Sequence, residues 1–208
     1  MQRPPSHGRV PPGRKLDYKE FLAWCDEDTW AEWVDGVVVM VSPASTRHQA
    51  LACFLTATLR LFIEAQDLGL LFPAPFQMKT GPDLPGREPD LLFIASEHLA
   101  RLKETYLDGP ADLVVEIVSP ESRFRDRGEK RAEYEAGGVR EYWLIDPDRR
   151  EADFYVLGAR GRYRLVEVGP DGIFESATLS GFRLNLAWLW QDPLPMVRDA
   201  ARELGVLS

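Results

Sequence analysis

Between Asp112 and Ser119 the chain reads Leu-Val-Val-Glu-Ile-Val, an aliphatic run interrupted by one acid, Glu116. A run this short, this rich in β-branched residues and closed by Ser119-Pro120 predicts a strand buried on both faces. Alternation sets Val114, Glu116 and Val118 on one face and Leu113, Val115 and Ile117 on the other. An ionised carboxylate among aliphatic neighbours has lost its water, so it needs a metal, a cation or several hydrogen-bond donors in exchange. Glu116 therefore constrains the fold and is also the first candidate for function.

The remaining elements are those needed to cover such a strand. The chain has 208 residues, 45% of them hydrophobic, which suits one domain over residues 15–208. Residues 1–14 are rich in Pro, Arg and Gly without periodicity and read as a flexible arm. Asp17 is placed to cap a short helix running to Trp24 and Cys25, and residues 30–41 alternate around Asp35-Gly36 as a hairpin does. Ser45 and Thr46 followed by Gln49 resemble a capping box. It opens the longest helix, whose apolar face is Leu51, Phe54, Leu55, Thr58, Leu59, Phe62 and Ile63. Strands are predicted over 70–80, after Asp90, over 141–145, and in a hairpin of 152–157 with 162–168. Helices are predicted over 96–106, over 125–136 with Gly137-Gly138 as its C-cap, and over 193–204. This order predicts a mixed α/β fold. Its central mixed β-sheet is flanked by helices, with an N-terminal β-hairpin and a C-terminal antiparallel extension.

Composition narrows the function classes. Cys25 and Cys53 are too few for a disulfide framework and lack metal-ligand spacing, so they read as core thiols of a protein in a reducing cytoplasm. The opening residues lack the apolar segment of a signal peptide, and no stretch reaches the length of a membrane span. A net charge of −8 and a pI near 5.0 argue against a surface built throughout to bind nucleic acid. A local basic stripe stands out against that background: Arg123, Arg125, Arg127, Lys130 and Arg131, directly after the Glu116 strand.

Each candidate partner of Glu116 has an ordinary reading beside the functional one. Glu116 itself suits a buried ion pair with an arginine as well as a metal site. Asp90 heads the run Leu91-Leu92-Phe93-Ile94, where a Pro-Asp pair often only bonds loop amides. Lys130 lies four residues after Asp126 and four before Tyr134, so the three share a helical face; the ordinary outcome is an exposed pair worth about 0.2–0.5 kcal/mol. The Pro120 turn, however, brings this helix back over the end of the Glu116 strand. His48 borders the apolar face of the long helix, where a buried histidine bonded to backbone is the usual case. Tyr142, Trp143 and the aromatics of 182–190 read as packing. Two acids and a lysine are the working parts of a metal-dependent phosphodiesterase: hard oxygen ligands for Mg²⁺, and a cation for the water or the phosphoryl charge.

The segments Arg87-Glu88-Pro89-Asp90, Asp112 to Pro120, Asp126-Arg127-Gly128-Glu129-Lys130, Tyr134 and Gly138 to Pro147 resemble the Uma-type putative restriction endonuclease family. So do Glu32 to Gly36, Ser42-Pro43 and His48-Gln49. That family belongs to the PD-(D/E)XK nuclease superfamily, and the similarity runs from about Tyr18 to Arg183. It implies a restriction-endonuclease-like fold and a metal-dependent endonuclease acting on DNA, with Mg²⁺ or Mn²⁺ held by Asp90, Glu116 and the carbonyl of Ile117. The lysine of the superfamily's acid-x-lysine motif is Val118 here, and the resemblance points to Lys130 as its replacement. Val37 stands where relatives often carry an acid, leaving any accessory role to Glu32. His48, Asp126 and Tyr134 are secondary candidates, and Arg123, Arg125, Arg127 and Arg131 are candidates for docking the DNA backbone. A homodimer would suit cutting of both strands. RNA or single strands would use the same residues. The alternative class is a non-catalytic nuclease-fold module binding nucleic acid or a protein, favoured by the acidic pI and by Val118.

Overall fold

The computed structural model describes residues 15–25, 31–40, 44–120 and 122–207; the arm over 1–14 and the Ser42-Pro43 motif lie outside them. Asp17 caps α1 (Tyr18–Trp24) in a reciprocal box with Glu20, at 2.8 and 2.9 Å. The hairpin β1 (Ala31–Val34) and β2 (Val37–Met40) turns at Asp35-Gly36, both with positive φ as a two-residue type I′ turn requires. Ser45 then opens α2 (Thr46–Ala65) by accepting from the His48 N–H. The third helical residue is His48, so Gln49 has no part in the cap. The predicted apolar face of α2 is buried throughout, each large side chain contributing roughly 1.5–3 kcal/mol.

The strand expected over 70–80 is two strands, β3 (Gly69–Pro73) and β4 (Gln77–Lys79), in different sheets. Pro73 and Pro75 remove the ladder donors that a continuous strand would need. After β5 (Gly86–Arg87) and β6 (Leu91–Ala95), the helix expected over 96–106 is a shorter 3₁₀ segment, Ser96–Arg101, followed by β7 (Tyr106–Asp108). The acid-bearing strand is β8 (Leu113–Ile117).

The helix expected over 125–136 runs from 123 to 137 in three pieces: α3 (Arg123–Arg125), a π-helical stretch (Asp126–Lys130) and α4 (Arg131–Gly137). Gly138 ends it with φ 85°, the left-handed C-cap that favours glycine. β9 (Glu141–Asp146), β10 (Glu151–Leu157) and β11 (Tyr163–Leu165) form the antiparallel extension. A separate hairpin of β12 (Ile173–Glu175) and β13 (Arg183–Asn185) precedes α5 (Leu186–Trp190) and α6 (Val197–Glu203). α6 is shorter than the expected 193–204 because Pro193 and Pro195 leave its start without helical donors.

The six-stranded mixed sheet has the order β11-β10-β9-β8-β6-β3, with β8 parallel to β9 and antiparallel to β6. The N-terminal hairpin joins a second sheet, β2-β1-β5-β4-β7. Alternation along β8 divides the interior as predicted. Leu113, Val115 and Ile117 pack with α2, Trp143 and Phe182. Val114 and Val118 pack with Leu92, Ile94, Tyr134 and Tyr142. The cysteines differ from expectation: Cys25 is half-buried and Cys53 is exposed. Cys53 lies opposite the Leu51–Leu55 stripe on α2, so the helix turns it away from the core.

Candidate active site

Strand register brings the two acids together. The antiparallel pairing Leu91↔Val115, carried one residue further, sets Asp90 level with Glu116 on the face that Val114 and Leu92 share. There the Asp90 carboxylate accepts the Ile117 N–H at 2.6 Å. The opposite oxygen of Asp90 lies 3.2 Å from His48 Nε2, which reaches across from the first turn of α2. His48 is thus paired with an acid, which the ordinary reading of a backbone-bonded histidine did not foresee. Burial alone would lower its pKa, but the bond to Asp90 and the Ile117 backbone raise it overall.

Glu116 is 4% exposed. One of its oxygens accepts from both Lys130, at 2.8 Å, and the Tyr134 hydroxyl, at 2.7 Å. Lys130 also contacts Glu32 at 3.0 Å and Asp126 at 3.6 Å. It is 3% exposed, so the solvated i,i+4 pair that its spacing would ordinarily produce is not what forms. The π-helical stretch ends at Lys130, and such bulges recur where a helix re-aims functional side chains. Asp126, Lys130 and Tyr134 all turn inward from this helix.

The charges in this cluster do not balance. Burial, then Asp126, Asp90 and Glu32, push the Glu116 carboxyl up to about 8 against the pull of Lys130. Burial would likewise strip the Lys130 proton, but Glu116, Glu32 and Asp126 together keep its pKa above the ordinary lysine value. Glu32 goes the other way: Lys130, Arg87 and Arg125 outweigh its burial and hold it down at about 2. Tyr134 stays a protonated donor, raised by burial and by Glu116. These groups open onto a cavity of about 530 Å³ whose lining includes five acids, Glu32, Glu88, Asp90, Glu116 and Asp126, against three basic residues, His48, Arg125 and Lys130.

Two participants escaped the sequence reading although the motif Arg87-Glu88-Pro89-Asp90 contains both. Arg87 is 2% exposed and makes paired hydrogen bonds to Glu133 at 2.7 and 2.8 Å and one to Glu32 at 2.9 Å. It braces Glu32 and ties β5 to α4. Glu88 faces the cavity, and burial, then Glu32 and Asp90, push its carboxyl up to about 7 despite a bond from Gln77 at 2.8 Å. The available signal was spacing: in an extended segment Glu88 and Asp90 fall on the same side.

The predicted arginine stripe does not form one row. Arg123 is bonded to Asp146 at 2.9 Å, and Arg127 to Asp153 at 2.6 Å and Glu151 at 2.9 Å. Arg131 is exposed, with its guanidinium 5.5 Å from the centre of the Tyr155 ring. Only Arg125 faces the cavity, and its ion contacts, to Glu32 and Asp126, are both at 4.0 Å. Its Nε and the Oδ1 of Asp126 are buried without a hydrogen bond.

Similarity to known proteins accords with this geometry. The family described as Uma2, putative restriction endonuclease, matches residues 18–187. The chain belongs to that family. The Uma2 match spans the hairpin, both acids, the Lys130 helix and the six-stranded sheet. A crystal structure of a putative nuclease belonging to DUF820, from Anabaena variabilis, superposes with a TM-score of 0.69 at 17% identity, covering 84% of this chain and 97% of that one. The fold is thus shared with that nuclease-like protein. No curated protein matches the chain.

Among the described residues no three His, Cys, Asp or Glu side chains form a ready metal shell. The set expected of this Uma2 protein is smaller: Asp90, Glu116 and the Ile117 carbonyl. It is made of hard oxygens, which fit Mg²⁺ or Mn²⁺. The excess of carboxyl groups around it and the unbonded Asp126 oxygen are what an added cation would offset. Among the described residues, no helix is long and apolar enough to cross a membrane.

Proposed function

We propose that this Uma2 protein is a metal-dependent endonuclease hydrolysing phosphodiester bonds in DNA. One observation carries the reading: Asp90, Glu116 and Lys130 line the same cavity, with the lysine ammonium 2.8 Å from the Glu116 carboxylate. Asp90 and Glu116, with the Ile117 carbonyl, would hold Mg²⁺ or Mn²⁺. When bound, that ion supplies an acidified water and neutralises charge on the phosphoryl oxygens. Lys130 remains protonated and positions the attacking water or a phosphoryl oxygen, the role the acid-x-lysine motif assigns to a lysine where Val118 stands here. Tyr134 orients the Glu116 carboxylate and His48 that of Asp90. Arg125, whose ion contacts among the described residues are at 4.0 Å, would turn to a phosphate of the substrate strand.

The test is cutting of plasmid, single-stranded DNA and RNA in Mg²⁺ or Mn²⁺, with and without chelator, by the protein and by Glu116→Gln. Chelator-sensitive nicking should fall by at least about 100-fold in the variant, beyond the usual 10–100-fold cost of losing a group that only orients a ligand. Equal cutting by both proteins would overturn the assignment. No cutting by either, with no metal bound in calorimetry, would favour a non-catalytic module.

A further inference from the structure

Arg87 does not line the cavity, yet it is one carboxylate away from the lysine that does. It sits on β5 and is 2% exposed. Its Nη1 donates to one oxygen of Glu32 at 2.9 Å, and the other oxygen of Glu32 lies 3.0 Å from the Lys130 ammonium. Its Nε and Nη2 donate to the two oxygens of Glu133 at 2.7 and 2.8 Å. Glu133 follows Lys130 by three residues on the same run of helix. The contacts close a ring. The helix that carries Lys130 also carries the carboxylate that fixes Arg87, and Arg87 aims the carboxylate that seats Lys130.

Such a ring is a weak source of stability, since apolar side chains of the same volume often serve a fold as well as buried ion pairs do. What it supplies is geometry. The planar fork of an arginine meets a carboxylate in a defined orientation, whereas an ammonium on a flexible stem has no direction of its own. Lys130 is in need of that direction. A lysine on the strand of Glu116 would be held by the sheet, but Val118 fills the place two residues on. The ammonium instead arrives from a helix and meets three acids, Glu116 at 2.8 Å, Glu32 at 3.0 Å and Asp126 at 3.6 Å. Without Arg87, Glu32 loses the 2.9 Å donor that fixes its rotation and keeps a Glu88 N–H only at 3.5 Å.

We propose that Arg87 is a positioning residue: by fixing Glu32 between itself and Lys130, it sets where the lysine ammonium meets Glu116. This rests on the endonuclease reading above, in which Lys130 positions the attacking water or a phosphoryl oxygen. The two sheets are thereby coupled, because β1 and β5 of the second sheet carry the pair that serves the acid on β8 of the first.

The experiment follows the ammonium and the reaction separately. Proton–nitrogen spectra of the lysine side chains in isotope-labelled protein should show an ammonium signal protected from solvent exchange, identified as Lys130 by its loss in Lys130→Arg. Arg87→Lys keeps a cation but cannot hold two acids with a fork. It should shift or broaden the Lys130 signal and lower kcat for plasmid nicking in Mn²⁺ by roughly 10- to 100-fold. KM and calorimetric Mn²⁺ affinity should change by less than about threefold, because neither substrate nor ion touches Arg87. A merely structural role would lower the melting temperature and leave the Lys130 signal and kcat in place; that result, or a native protein without a protected Lys130 signal, overturns the proposal. Glu133→Gln is the second variant, at a half-buried position. It loosens the fork, so it should broaden the same signal and lower kcat by roughly 2- to 10-fold. No change in either overturns the proposal, including where Arg87→Lys fails to fold. If the native protein cuts no polymer, the endonuclease reading fails, and the Lys130 signal alone decides whether Arg87 holds the ammonium in place.

Discussion

The two ends of β8 both carry buried acids, and they treat them in opposite ways. At the start, Asp112 accepts the Ala95 N–H at 2.8 Å and lies 2.9 Å from His98 Nδ1. Beside it, Glu141 accepts from the Trp143 indole at 2.6 Å, the Ser176 hydroxyl at 3.0 Å and the Thr178 N–H at 2.7 Å. All four carboxylate oxygens are engaged, mostly by neutral donors fixed in the sheet and its loops. At the other end Glu116, Glu32 and Asp126 share one buried ammonium, an Asp126 oxygen is left without a hydrogen bond, and the group faces a cavity. Burial is nearly the same at both ends. What separates structural acid from candidate site is therefore how the charge is satisfied.

The largest expected consequence of this contrast is at Lys130. Lys130→Met leaves the acids of the Glu116 end without their shared cation and should cost about 3–5 kcal/mol in urea unfolding at pH 8. A loss under about 1 kcal/mol would mean that the carboxyl groups there are already neutral or solvated. Next is Asp112→Asn, which removes charge from hydrogen bonds that are complete. About 1.5–3 kcal/mol should be lost, with calorimetric Mn²⁺ affinity unchanged; a fall in metal affinity would erase the distinction between the ends.

The third effect is a pH dependence. Glu116, Glu88 and His48 all have raised pKa values in the folded chain, the first two to about 8 and about 7. The folded state therefore binds more protons than the unfolded state between about pH 5 and 8, and stability falls as pH rises through that window. Glu32, held at about 2, opposes this only below its unfolded value near 4.5. A melting temperature lower at pH 8 than at pH 5 is expected, recovered by Mn²⁺ and flattened in Glu116→Gln. A melting temperature that rises over the same range would show that Lys130 keeps Glu116 ionised throughout.

Local pattern made much of the architecture legible. The β8 run, the α2 face, the Asp35-Gly36 turn and the Asp17 cap are each set by neighbours a few residues apart, and each is found. Two errors passed over signals that were themselves local, prolines and helical spacing. Pro73 and Pro75 split one apolar run between two sheets, and the solvent side of α2 claimed Cys53. Within the candidate site, Asp90, Glu116 and Lys130 were recognisable by residue type and family motif. Glu88 and Arg87 were overlooked because their significance comes from what they meet: Gln77, Glu32 and Glu133 lie far from them in sequence or on other elements.

By itself the sequence determined the fold class, the burial of Glu116 and the set of residues able to serve it, since alternation, capping and turn chemistry act over short stretches of chain. Only the tertiary structure decided that Lys130 is buried rather than solvated, and that Arg123 and Arg127 bond acids at the far side of their helix while Arg125 faces the cavity. Those outcomes depend on which charges and surfaces distant segments bring within a few ångströms, and electrostatics in a dry interior is governed by that proximity.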